Sequence, residues 1–202
     1  MDSNKTPFHP SLDPANKRKE RPKKTPHIYT PWSLAGETEH SHQAAFFCWA
    51  NFAARFGYAA AAHEGSYRAV ADYIAKHGQP AGSHGFGFIP FPVPVLTRLH
   101  AIPNGGQRDK VTAGQLRAEG VKTGVPDVFL PRRGWKASGH IAYCGLYLEF
   151  KKEMYRTRKN GGRSDEQVDW ADYLTNAGYS VKLVYNWIEA ADAVTSYVNS
   201  VA

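Results

Sequence analysis

Residues 145–151 read Gly-Leu-Tyr-Leu-Glu-Phe-Lys. Period-2 geometry puts Leu146, Leu148 and Phe150 on one face of a strand and Tyr147, Glu149 and Lys151 on the other. A second short apolar strand, Val125–Leu130, is interrupted by Asp127, which follows Pro126. Three charged residues therefore stand where core strands are expected to be apolar. Buried charges are costly unless they are paired or bound to a metal. Glu149 and Lys151, two residues apart, present a carboxylate and an ammonium at one spot, and Asp127 on a neighbouring strand supplies a second carboxylate.

The remaining pattern sets the frame for these strands. Thr38 is placed to cap a helix running to about Phe56, with Glu39 in its first turn. Ala45, Trp49, Phe52 and Phe56 make its apolar stripe. A second helix is expected over 65–77, a Gly/Pro-rich loop or lid over 78–95, and a short strand around Leu99–Ile102. That strand ends at the turn signal Asn104-Gly105-Gly106. Helix 110–119, the two strands above and a basic loop over 152–163 follow. Ser164 then caps a helix to about Ala177, with a strand at Ser180–Tyr185 and a last helix over 188–198 behind it. This mixed order predicts a central sheet with helices on both faces.

Length and aromatic content fit one catalytic-size domain and exclude a wholly disordered chain. Residues 1–30 hold five prolines and the cluster Lys17-Arg18-Lys19-Glu20-Arg21-Pro22-Lys23-Lys24, and read as an extended tail. The formal net charge of +7 is unevenly spread: residues 98–163 carry fourteen Lys/Arg against five Asp/Glu, and residues 164–202 one against six. The basic stretch encloses Asp127 and Glu149. Arg132 and Arg133 follow the first strand, with Lys136 close behind; Lys152, Arg156, Arg158, Lys159 and Arg163 follow the second. Both groups are expected to leave one region of the sheet, as a basic rim for a phosphate backbone. An ordinary solvated loop is the plainer alternative. The two cysteines exclude a Cys-rich zinc site or a disulfide framework. No apolar run is long enough to span a bilayer and no hydrophobic segment follows the N-terminal charges, so a cytoplasmic, non-secreted protein is expected.

Two carboxylates with open coordination positions suit Mg²⁺ or Mn²⁺. A metal so held polarises a phosphoryl oxygen, and an adjacent lysine stabilises the growing charge. That is equipment for phosphodiester hydrolysis. The same residues on a solvated edge strand would be only a Glu–Lys pair.

A longer run of motifs bears on that choice. It comprises Ala101-Ile102-Pro103-Asn104-Gly105-Gly106-Gln107-Arg108, Leu116-Arg117-Ala118-Glu119-Gly120-Val121-Lys122-Thr123-Gly124-Val125-Pro126-Asp127-Val128-Phe129-Leu130 and the 145–151 strand. Ser164-Asp165-Glu166-Gln167, Trp170, Leu174, Ala177-Gly178-Tyr179 and Glu189-Ala190 complete it. The chain resembles the VRR-NUC family of the PD-(D/E)XK nuclease superfamily, in particular its stand-alone phage and bacterial members, over residues 37–56 and 98–200. The resemblance implies a restriction-endonuclease-like mixed sheet flanked by helices, spanning 31–202 with a helical and loop insert at 58–97. It implies that Asp127, Glu149 and the main-chain carbonyl of Phe150 ligate Mg²⁺ or Mn²⁺, with Glu39 reaching the metal, often through water. Lys151 would be the catalytic lysine. Gln43 and Gln167 match the family's helix glutamines, and Arg108 an arginine that contacts phosphate. Lys122 is either surface charge or a DNA contact. The implied activity is structure-specific DNA cleavage by a homodimer, with four-way junctions as substrate and no organic cofactor. A monomeric flap or nicking nuclease and a non-catalytic nucleic-acid-binding protein are the alternatives.

Some residues have a second reading or depart from the pattern. Gln167 lies three residues after Ser164, so it also completes a capping box. Glu39 also suits the helix dipole. His42 stands where many relatives carry a glutamate. The histidines at 40, 42, 63, 77 and 84 are irregularly spaced and read as scattered surface residues rather than a second metal site.

Overall fold

The computed structural model describes residues 28–78, 93–103, 114–116, 118–135 and 141–200. Most of the proline-rich tail, the Asn-Gly-Gly turn, Arg108 and Lys136 lie outside the described residues, as does most of the expected lid.

Thr30 caps a single helical turn, α1 (Pro31–Leu34), which the sequence pattern did not announce. Helix α2 (Glu39–Ala61) begins at Thr38, whose side chain accepts from the Ser41 amide. Ala45, Phe46, Trp49, Ala53 and Phe56 form its buried stripe, and the chain kinks at Gly57, where φ is 81°. The expected end of the periodic helix near Phe56 is this kink, which only Gly adopts without strain. Helix α3 (Glu64–His77) buries Tyr67. A 3₁₀ turn (Pro94–Arg98) leads into β1 (His100–Ala101). Residues 114–116 and 118 are helical, within the helix expected over 110–119. Next come β2 (Val128–Leu130), β3 (Gly134–Trp135), β4 (Ile141–Tyr143) and β5 (Leu146–Phe150). The basic loop folds into two 3₁₀ turns, Glu153–Tyr155 and Lys159–Gly162. Helix α4 (Asp165–Asn176), strand β6 (Ser180–Val184) and helix α5 (Trp187–Asn199) complete the chain.

Among the described residues β1, β2, β5 and β6 form a mixed sheet in the order β1-β2-β5-β6. The pairs β1–β2 and β2–β5 are antiparallel, and β6 runs parallel to β5. Strands β3 and β4 pair separately.

Alternation along β5 decides what lies on each face. Leu146, Leu148 and Phe150 join Val128, Leu130 and Val184 in the main core, under α2 and α5. Phe46 of α2 meets the Phe150 ring at 5.8 Å, and Trp187, Ala190 and Val194 of α5 close the same core. The opposite face carries Glu149, which α4 reaches through Gln167. The protein is thus a mixed α/β sheet flanked by helices on both faces, the architecture expected from the element order. Fully burying each large apolar side chain in such a core contributes about 1.5–3 kcal/mol.

Strand direction corrects one expectation. Because β2 is antiparallel to β5, Leu130 opposes Leu146 and Val128 opposes Leu148. Asp127 therefore sits at the Glu149 end of the sheet, whereas Arg132 and Arg133 emerge at the Leu146 end. Five residues of strand separate the two ends by about 15 Å. The two basic groups do not leave the sheet at one place.

Candidate active site

Continuing the β2–β5 register one step beyond Val128 places Asp127 opposite Glu149. Directly opposed positions share a face, so the geometry of the pair follows from the pleat. Asp127 Oδ2 accepts the Phe150 amide at 2.9 Å, which draws its carboxylate across to β5. Lys151 Nζ donates to Glu149 Oε1 at 2.7 Å, a contact that i, i+2 spacing on one face allows. Both residues are buried, Glu149 at 3% and Lys151 at 8% exposure. The main chain of Lys151 is also held, its amide donating to the Val184 carbonyl of β6 at 2.9 Å.

Gln167 makes two contacts at once. Its side-chain oxygen accepts the Ser164 amide at 3.0 Å, completing the capping box of α4. Its side-chain NH₂ donates to Glu149 Oε1. One amide group therefore fastens the helix start and points that helix at the buried carboxylate. The helix is also tied to the loop before Asp127, because Trp170 Nε1 donates to the Thr123 carbonyl at 3.0 Å. Glu39 arrives from the first turn of α2, and its Oε1 accepts the Lys152 amide at 3.2 Å. Gln43, one turn further along α2, is half-buried. His42 buries its Nδ1 with no hydrogen-bond partner among the described residues, and burial lowers its pKa, partly offset by Glu153.

Electrostatics bind the carboxylates into one group. Burial pushes the Glu149 carboxyl up to about 7; Asp127 pushes the same way, Lys151 opposes it, and Glu39 adds a smaller push. Asp127 is raised as well, by burial first and by Glu39 last, against the Phe150 amide and Lys151. Neighbouring carboxylates disfavour each other's charge.

The donor set fits a hard divalent ion. Mg²⁺ takes one or two carboxylates and keeps several waters, rather than demanding a full protein cage. Among the described residues no three His, Cys, Asp or Glu side chains are arranged as such a cage. The Asp127, Glu149 and Glu39 carboxylates each accept from an N–H donor of the chain instead.

The basic residues differ in how free they are. Arg156 binds both oxygens of Glu153, at 2.6 and 2.8 Å, reaches Glu189 of α5, and lies over the Tyr185 ring at 4.1 Å. It is a strut that ties the loop to α5. Arg158 lies over Tyr155 at 4.1 Å, and Arg163 donates to the Asn160 carbonyl at 3.0 Å. Lys152 is half-buried, while Lys122, Lys159 and Arg133 are exposed. The Arg132 carbonyl accepts from Tyr197 at 2.7 Å. The Arg156–Glu189 contact was not anticipated. The spacing Asn186-x-x-Glu189, a helix-start signal, would have located Glu189: Asn186 accepts the Glu189 amide at 2.9 Å.

No family model and no curated protein matches the chain. A solved structure described as a VRR_NUC domain protein is similar at a TM-score of 0.48 and 18% identity, covering 83% of this chain and 93% of that one. Among the described residues no helix is long and apolar enough to cross a membrane.

Proposed function

We propose that this chain is a divalent-metal-dependent endonuclease that hydrolyses DNA phosphodiester bonds, acting as a homodimer on four-way junctions. The observation that carries the reading is the meeting of Asp127, Glu149 and Lys151 on one sheet face, in a buried setting that raises the proton affinity of both carboxylates. Asp127, Glu149 and the Phe150 carbonyl would hold Mg²⁺ or Mn²⁺, with Glu39 reaching it through water. Such an ion, when bound, polarises a phosphoryl oxygen and lowers the pKa of a coordinated water.

The chain's own groups do the rest. Lys151 holds a positive charge beside Glu149, where it orients the attacking water and stabilises negative charge growing on the phosphate. Gln167 keeps Glu149 aimed at the same point, and Glu39 fixes the turn after β5 through the Lys152 amide. Exposed Lys159 and half-buried Lys152 offer charge to the DNA backbone on the Glu149 side. Such contacts position a backbone without reading its sequence, which suits recognition by DNA shape.

The test is cleavage of supercoiled plasmid, linear duplex and synthetic junctions with Mg²⁺ or Mn²⁺. Wild type cuts junctions faster than linear duplex, and Lys151→Ala loses about 10²–10³-fold in rate while still binding. Binding without cleavage under either metal overturns the enzyme. Equal rates on linear duplex remove the junction preference, and a 22.4 kDa species in sedimentation removes the homodimer.

A further inference from the structure

Helix α4 is tied to both halves of the carboxylate pair. Gln167, in its first turn, donates to Glu149. Close to one turn further on, Trp170 Nε1 donates to the Thr123 carbonyl at 3.0 Å, in the loop that delivers Asp127. Residues three apart on a helix are surface neighbours, so the two ties leave from one face of α4. Loop and helix also meet backbone to backbone. Gly124 has φ 85°, and a Cβ there would lie 2.8 Å from the carbonyl carbon and oxygen of Glu166. Glycine is required at this point both for its conformation and for the space.

The link from this contact to Asp127 is short and stiff. Val125 precedes a proline, which restricts it to extended conformations. Pro126 has a fixed φ and is fully buried. The ladder that sets Asp127 against its neighbours is thin, because β2 is three residues long and begins only at Val128. Before that strand, the Asp127 carbonyl accepts the Ile102 amide at 2.7 Å and its carboxylate accepts the Phe150 amide. Both bonds lie along the sheet, towards β1 and β5. The tie to α4 is the constraint that comes from above the face on which Glu149 lies.

We propose that Trp170 is a positioning residue for the Asp127–Glu149 pair: by fastening the Asp127 loop to the helix that holds Glu149, it fixes the separation at which the two carboxylates share a cation. The inference rests on the function proposed above. Trp170 acts through Thr123 and the stiff link behind it. Its half-buried ring lies edge-on to Tyr173 at 5.9 Å. A phenylalanine would fill the same place, so the tie itself resides in the indole N–H. Residues that orient metal ligands from outside the ligand shell are typically worth about 10- to 100-fold in metal affinity.

The experiment reads Mn²⁺ binding to the full chain without DNA, from the loss of the electron paramagnetic resonance signal of free aqueous Mn²⁺. Trp170→Phe keeps the ring, removes the N–H and weakens Mn²⁺ binding about 10-fold. Thr175→Val, at the far end of α4, removes the bond from Thr175 Oγ1 to the Ala171 carbonyl at 2.7 Å and leaves Mn²⁺ binding unchanged. Wild type gives a second readout, which does not depend on the variant folding. Coupling is reciprocal, so a bound ion strengthens the tie by the factor by which the tie strengthens ion binding. Hydrogen exchange of the Trp170 indole N–H therefore slows about 10-fold in saturating Mg²⁺, while that of Trp32, which packs on Trp187 of α5, does not. Unchanged Mn²⁺ binding in Trp170→Phe, equal losses in both variants, or unchanged Trp170 exchange overturns the positioning role and leaves the nuclease reading standing. Failure of wild type to take up Mn²⁺ overturns both.

Discussion

Substituting Glu149 by Gln tests the electrostatics of the site directly. Glu149 is 3% exposed, and its pKa rises from 4.5 to about 7 on folding, by burial first and by Asp127 second. The folded state therefore holds this proton more tightly than the unfolded state does. Its contribution to stability is greatest below pH 4.5 and is lost as pH rises from there to about 7. Each tenfold change in proton affinity is worth about 1.4 kcal/mol, so the full loss is about 3 kcal/mol. Glu149→Gln keeps the shape and an oxygen to accept from Lys151, but carries no charge to lose. Urea unfolding in EDTA between pH 4.5 and 8 measures the difference. Relative to wild type, the variant gains about 3 kcal/mol across that range, and Mg²⁺ at pH 8 returns stability to wild type alone. Parallel pH dependences for the two proteins would refute the account of Glu149 as a carboxylate held at a cost.

Gln167→Glu preserves the capping oxygen on Ser164 but puts a second carboxylate against Glu149. Urea titration should find it near wild type at pH 5 and less stable by about 1 kcal/mol at pH 8, whereas Gln167→Ala loses about 1 kcal/mol at both, as a lost cap does. Gly145→Ala forces Phe129 aside and should destabilise by about 1–3 kcal/mol in the same assay, the usual penalty of overpacking. Lys159→Ala should lower the salt dependence of DNA binding by about one counterion, while Arg133→Ala, at the far end of the sheet, leaves it unchanged. Filter binding across a salt series separates the two.

Much of this protein is legible residue by residue because the signals are local. The alternation over 145–151 defines β5, and the side-chain partners of Thr38 and Ser164 sit three residues away, so the starts of α2 and α4 follow from spacing. The contact between Glu149 and Lys151 is equally local, since i and i+2 always share a strand face. The turn α1 and the ribbon β3–β4 escape such a reading because four residues, or strands of two and three, are too few to establish a period.

What only the tertiary structure decides is long-range. A period-2 pattern has no direction, so nothing in residues 125–133 says that β2 runs against β5. That direction puts Asp127 beside Glu149 and carries Arg132 and Arg133 away from them. The 113-residue separation between Glu39 and Lys152, the stacking of Phe129 on Tyr147, and the capture of Arg156 by Glu189 likewise depend on packing. The sequence by itself determined which residues carry charge on which face of each strand. The sheet determined which of those charges meet, because only burial together gives Asp127 and Glu149 their raised proton affinity.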